Sequence, residues 1–163
     1  EDDGEFFIDA PADGLGAGVF RFGQAMTRLH DLTFLNRLRA ESTFYEDLRE
    51  ALKSTVDEVR LHEMHVVEGV PKAVDYPVDY YIEGGVQPLY LFGVPNRDKA
   101  RLATIILQHL IGADAEFNSM IVFQNSAEIP SRDLSRLMNA ANDMVDSLDA
   151  LPDLQRKLLH RVT

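Results

Sequence analysis

VDYPVDYYIEGGVQPLYLFGVPNRDK, Val74 to Lys99, is the stretch whose reading decides the fold. From Asp75 to Glu83 it alternates: Tyr76, Val78, Tyr80 and Ile82 fall on one side, and Asp75, Pro77, Asp79, Tyr81 and Glu83 on the other. Period-two alternation rich in aromatic and β-branched residues predicts a half-buried strand. Pro77 has no N–H to give to a ladder, so the strand is expected at an edge or with a bulge there. Asp75 and Asp79 then read as solvated positions on that edge. Gly84-Gly85 supplies the positive φ angles of a tight hairpin turn. Its partner, Leu89 to Val94, is apolar on both faces, which predicts a central strand. Pro95 ends it, and Asn96 is a good N-cap for a following helix.

Working outward, the chain supports a sizeable core. Hydrophobic residues make up 45% of its 163 residues, too many for a disordered chain. The reading is one main domain, residues 41–163, preceded by a smaller N-terminal unit, residues 1–40. The first residue is Glu rather than Met, which suggests a truncated start. No run approaches the length of a membrane span. The absence of cysteine excludes disulfides and thiolate metal sites and fits a cytoplasmic protein. A formal charge of −11 argues against broad binding to nucleic acid, which depends on phosphate neutralisation by Lys and Arg, and suits a basic partner.

Before the hairpin, Asp2-Asp3-Gly4 reads as a turn and Glu5 to Ile8 as a short strand. Pro11 to Gly18 reads as a mobile, glycine-rich linker. The alternative, a phosphate-cradling loop, needs a strand joined directly to a helix, and Asp9 to Asp13 intervene. Phe22, Met26 and Leu29 are spaced for a helix, with a break expected near Thr33 before Phe34, Leu35 and Leu38. Thr43 and Glu46 have capping-box spacing for a second helix, with Phe44, Leu48, Leu52, Val56 and Val59 on its buried face. His62 to Glu68 predicts a strand. After the hairpin, Ala100, Ala103, Ile106, Leu107 and Leu110 give a wide buried stripe on a helix from Arg97 to about Ile111, stopped by Gly112. Phe117 to Gln124 predicts another buried strand. Ser131 is expected to cap a long helix with Leu134, Leu137, Met138, Ala141, Val145 and Leu148 on one face. Pro152 opens a short final helix. The fold class is therefore α+β (α/β-like): a mixed β-sheet with a central hairpin, flanked by helices.

The order from Thr43 onward, helix, three strands, helix, strand, helix, resembles the core of the PD-(D/E)xK nuclease-like superfamily over residues 43–124. That resemblance implies an acid near the end of the second strand, where Asp79 stands. It also implies a helical acid, for which Glu46 or Glu50 is placed, with Mg²⁺ or Mn²⁺ as the metal. The third strand departs from the pattern. It offers Leu89, Tyr90, Leu91 and Phe92 where acid-x-Lys is needed, and water activation requires those oxygens. Lys99, just inside the next helix, is a displaced lysine with no second strand acid. YPVDYYIEG, PLYLFGVPNRDKARL and FNSMIVFQN together also resemble domain-of-unknown-function proteins of bacterial and phage or prophage genes, which implies a nuclease-like fold without a settled activity.

Other candidate residues are fewer. His62 and His65 face opposite sides of a strand, and HEMH lacks the i, i+4 spacing of a zinc-protease helix. Asp143, Asp146, Asp149 and Asp153 recur at helical spacing and form a candidate acidic docking face. Three functions are open on these residues. The first is a non-catalytic interaction or regulatory module, without a cofactor, that binds a protein partner through those aspartates. The second is a divergent metal-dependent nuclease using Glu46, Asp79 and Lys99. The third is an acidic nucleic-acid mimic that blocks a DNA-binding protein.

Overall fold

The computed structural model describes residues 6–162. The chain divides into two compact units, residues 1–42 and residues 43–163. In the first, Phe6 to Ile8 form no regular structure and are exposed, so the expected strand is absent there; its Glu5 and the Asp2-Asp3-Gly4 turn lie outside the described residues. A 3₁₀ turn at Ala12–Gly14 leads into helix α1, Leu15–Thr55, which begins in the first unit and ends in the second. The glycines read as a linker are thus helical from Gly16 onward. The break expected near Thr33 is also absent: its hydroxyl donates to the Leu29 carbonyl at 2.9 Å, a bond that lets threonine sit inside a helix. Since α1 runs through Thr43 and Glu46, those residues form no capping box.

The second unit is a three-layer arrangement around a five-stranded sheet in the order β1-β2-β3-β4-β5. The strands are β1 Leu61–His65, β2 Val78–Ile82, β3 Leu89–Val94, β4 Asn118–Phe123 and β5 Asp143–Val145. The first three form an antiparallel meander, and β3, β4 and β5 run parallel. Parallel neighbours need crossover helices. These are α2, Arg97–Gly112, and α3, Ser131–Ala140, and α4, Leu151–Val162, ends the described chain.

Both faces of the sheet are covered, which is why β3 and β4 read as continuous apolar runs. Leu89, Leu91, Met120 and Val122 pack with Phe44, Leu48 and Leu52 of α1 and with Leu154 and Leu158 of α4. Tyr90, Phe92, Val94, Ile121 and Phe123 pack with Ala103, Ile106, Leu107 and Leu110 of α2 and with Leu137 of α3. Asn96 caps α2 as expected, its side chain accepting the Lys99 N–H at 2.9 Å.

Five sequence expectations give way. Pro77 precedes β2 and that strand lies between β1 and β3, so it is neither an edge strand nor does it include Asp75, which sits in a 3₁₀ turn. Val59 lies beyond α1 in another such turn and is exposed. Gly112 is the last residue of α2, and the left-handed residue after it is Asp114, φ 55°. The long helix from Ser131 to Leu148 is instead α3, β5 and a loop. Asn142 ends α3's run by pairing with β4: its Oδ1 accepts the Ser119 N–H at 2.8 Å, and its own N–H donates to Ser119 Oγ at 3.0 Å. Ser131 is the first helical residue, and the cap position before it is Pro130.

Candidate functional site

The sheet is interrupted at one residue of β2. Its register with β3 pairs Tyr80 with Leu91, Tyr81 with Tyr90 and Ile82 with Leu89. Beyond Tyr80, Asp79 turns its own carboxylate into the ladder: Oδ2 accepts the Gly93 N–H at 3.0 Å. On the other side, Met64 of β1 adopts φ 48°, a left-handed conformation uncommon for a side chain of this size. The alternation predicted for Tyr76 to Ile82 breaks here as well. Tyr80 and Ile82 pack toward α1, and Val78 packs toward α2.

Gly93 is the structural reason that α1 lies so close to the sheet. A Cβ at that position would stand 2.9 Å from Leu48 Cδ2 and from Tyr45 Cε1, and 3.0 Å from Phe44 Cε1. The Tyr45 hydroxyl donates to the Gly93 carbonyl at 3.1 Å. Both backbone groups of Gly93 are therefore held by side chains.

Asp79 Oδ1 takes the second partner, Lys99 Nζ, at 2.5 Å. A lysine in the first turn of a helix opposes the helix dipole, and the Asp79 carboxylate offsets it at α2. Burial raises the Asp79 carboxyl above its ordinary range; the Lys99 charge and hydrogen bond and the Gly93 N–H pull the other way without cancelling it. Asp79 is thus a buried group in an interior strand, not the solvated edge position expected from the sequence.

A cleft of about 250 Å³ opens beside this pair, lined by Tyr45, Arg49, Glu63, Met64, Asp79, Tyr80 and Lys99. Arg49 and Glu63 form a bidentate bridge across it, with both contacts at 2.8 Å. The Glu63 carboxylate raises the Arg49 pKa by hydrogen bond and charge. Desolvation first, and then the Glu63 charge, push the Tyr80 phenol up to about 12. The cleft therefore presents two ion pairs and a phenol that stays protonated at neutral pH.

Of the nuclease set, the structure brings Asp79 and Lys99 together and leaves Glu46 out. Glu46 is exposed on α1 and is not among the residues lining the cleft. Glu50 lines a different depression, with Asp47, Ala51, Ser54, Leu148, Asp149 and Leu151. Both Asp79 oxygens are occupied by donors, and the β3 residues opposite contribute no carboxylate. Among the described residues no group of three or more His, Cys, Asp or Glu is placed to hold a metal ion. The residues present do not fit a water-activating divalent metal.

The two histidines come to the same side, contrary to strand alternation. The His65 ring stacks on Tyr81 at 4.3 Å and the His62 ring lies 5.4 Å from it, because the left-handed Met64 between them reverses the chain's facing. His62 Nε2 pairs with Glu83 Oε1 at 3.1 Å. The four aspartates lose their common helical face. Asp143 lies in β5, Asp146 and Asp149 in the loop after it, and Asp153 in α4. Lys157 lies 3.3 Å from Asp143 and 3.1 Å from Asp153, so two of the four are neutralised locally.

Sequence reasoning missed Tyr45, Arg49, Glu63 and Gly93. Tyr45 and Arg49 are one helical turn apart, but nothing local in the sequence joins them to Glu63 on a strand. Comparison of the chain with family models, with curated proteins and with solved structures finds no match.

Proposed function

We propose that the chain is a non-catalytic interaction module of a bacterial or phage protein, and that it meets a protein partner through the apolar run of α1 between Leu15 and Leu38. One observation carries this reading. Leu15, Val19, Phe20, Leu29, Leu32, Phe34, Leu35 and Leu38 are all exposed, several by more than half. Exposed apolar residues concentrated this way mark a surface that another molecule covers. Between residues 15 and 42, Arg21, Arg28, Arg37 and Arg39 stand against Asp31 and Glu41, a local balance of 4 − 2 = +2 in a chain of −11. The partner surface at this run is apolar with an acidic rim. The test is affinity capture from the host with the full chain and with Leu32→Glu/Leu35→Glu. A protein retained by the wild type and lost by the variant, at unchanged melting temperature, supports the reading. The same set of bound proteins for both overturns it.

A second reading, a divergent metal-dependent nuclease, has the Asp79–Lys99 contact in its favour. Its test is the melting temperature with Mg²⁺ or Mn²⁺. A metal-dependent rise that disappears in Asp79→Asn would place this reading first. The expected result is no rise, since both carboxylate oxygens already have donors.

A further inference from the structure

Helices α2 and α3 build a second charged cluster, from residues that do not line the Asp79 cleft. Its centre is Asp133, whose side chain is only 3% exposed. Asp133 Oδ2 accepts from Arg97 Nε at 2.7 Å and from Arg101 Nε at 3.2 Å, and Oδ1 lies 3.8 Å from an Arg136 terminal nitrogen. The three arginine side chains are about half exposed. One carboxylate against three guanidinium groups leaves a local charge of 3 − 1 = +2.

That surplus has a direction. Arg97 makes the shortest contact and neutralises Asp133. Arg101 and Arg136 then remain at the rim of an adjoining depression of about 390 Å³, which Asp133, Thr104, Ile105 and Gln108 also line. Asp98, in the same turn as Arg97, does not line it. Arg101 meets Asp133 through Nε, so its terminal amino groups lie outside that contact. A guanidinium presents five donors in a planar fork that matches phosphate oxygens two at a time. The hydrogen bond from Arg101 to the buried carboxylate fixes that fork before any ligand arrives, which lowers the ordering cost of binding, and Arg136 stands 3.8 Å from the same carboxylate.

We propose that this depression binds a phosphate monoester dianion, with Arg101 and Arg136 as the fork donors and the Gln108 amide as a third donor. Asp133 positions the arginines, and Arg97 keeps its charge from repelling the ligand. This site is independent of the apolar run on α1.

The experiment is NMR titration of the full chain with phosphoserine and, separately, with inorganic phosphate, at constant ionic strength held by KCl. The expected result is a saturable shift of the Arg101 and Arg136 Nε–H signals and of the Gln108 amide with phosphoserine. Arg101→Gln and Arg136→Gln should each weaken it about tenfold or more, as loss of a charge-assisted bidentate pair does. Arg136→Lys keeps the charge and removes the fork; it folds if the position tolerates a cation and should still bind several-fold more weakly. Three outcomes overturn the proposal: shifts that never saturate, equal affinity in the wild type and all three variants, or saturation by inorganic phosphate without saturation by phosphoserine.

Discussion

The carboxylate of Asp79 accepts the backbone N–H of Gly93 at 3.0 Å, so a side chain takes a donor that β-sheet backbone ordinarily satisfies. Extending the register of β2 and β3 would set Val78 opposite Gly93. The carboxylate intercepts that pairing, and its other oxygen reaches α2 through Lys99. Strand, neighbouring strand and crossover helix thus meet on one buried acid.

The space at Gly93 is the first quantity to test. Gly93→Ala would drive a methyl group against Phe44, Tyr45 and Leu48 together. Overpacking of this kind costs about 1–3 kcal/mol. Gly112→Ala, with nothing within 4 Å of its Cβ, is the control and should be neutral or slightly stabilising. Urea denaturation of the two variants measures the difference, and equal midpoints would mean that α1 is not seated on Gly93.

The pH dependence of Asp79 follows from its raised pKa. The folded protein holds this proton more tightly than the unfolded chain does, so stability falls as pH rises from the ordinary value of 3.8 through the raised one. Desolvation outweighs the ion pair with Lys99, a common result for a buried pair. Asp79→Asn should match the wild type in acid and become relatively more stable as pH rises. Melting temperatures of both proteins across the acid range decide it; a gap of the opposite sign would show that Lys99 dominates.

Asp133 should slope the other way. Its hydrogen bond with Arg97, aided by Arg101, holds the carboxyl below the usual range. Stability from this group is present above the ordinary value of 3.8 and is lost as pH falls through the lowered one. The wild type should therefore exceed Asp133→Asn at neutral pH, and the difference should shrink in strong acid. A pH-independent difference would detach Asp133 from the arginines.

Phe92 is fully buried at the centre of the sheet, facing α2. Phe92→Ala should cost about 3–5 kcal/mol, read from chemical denaturation. A loss below about 1 kcal/mol would mean that the core collapses freely around the gap.

The acidic residues near the C-terminal end should separate into two kinds. Asp143 has Lys157 at 3.3 Å and Arg161 at 3.7 Å, and its Oδ1 accepts the Met144 N–H. Asp143→Asn should cost about 0.5–1 kcal/mol after allowance for solvent screening. Asp146→Asn, in the loop beyond β5, should stay within about 0.5 kcal/mol of the wild type. Thermal melts of the two single variants check the contrast.

The contrast between β3 and α3 shows what was legible in the sequence. Leu89 to Val94 is a strand whose neighbours agree with its apolar run, and Asn96 announces α2, so both were readable from local pattern. Residues 131–148 keep a helical spacing of apolar side chains, yet Asn142 finds Ser119 of β4 and the chain turns into β5. The signal was there in Asn139, Asn142 and Asp143, all poor in helices, but the partner that decides it is a distant strand. The candidate site divides in the same way. Asp79 and Lys99 flank one hairpin and were nameable; Arg49 and Glu63 are joined only by the packing of α1 over β1. Arg97 and Arg101 sit one helical turn apart, and the buried carboxylate that makes them a cluster lies on another helix.

The strands of the sheet stand in space in the order in which they leave the ribosome. No strand has to be threaded between two that are already joined, and each new edge is completed by the next segment of chain. The antiparallel pairings of β1, β2 and β3 close short loops, the condition under which domains fold quickly, whereas β4 and β5 pair only across crossovers that contain α2 and α3. Phe44 and Leu48 of α1 precede every strand in the chain, so the surface they settle on around Gly93 comes after them in sequence.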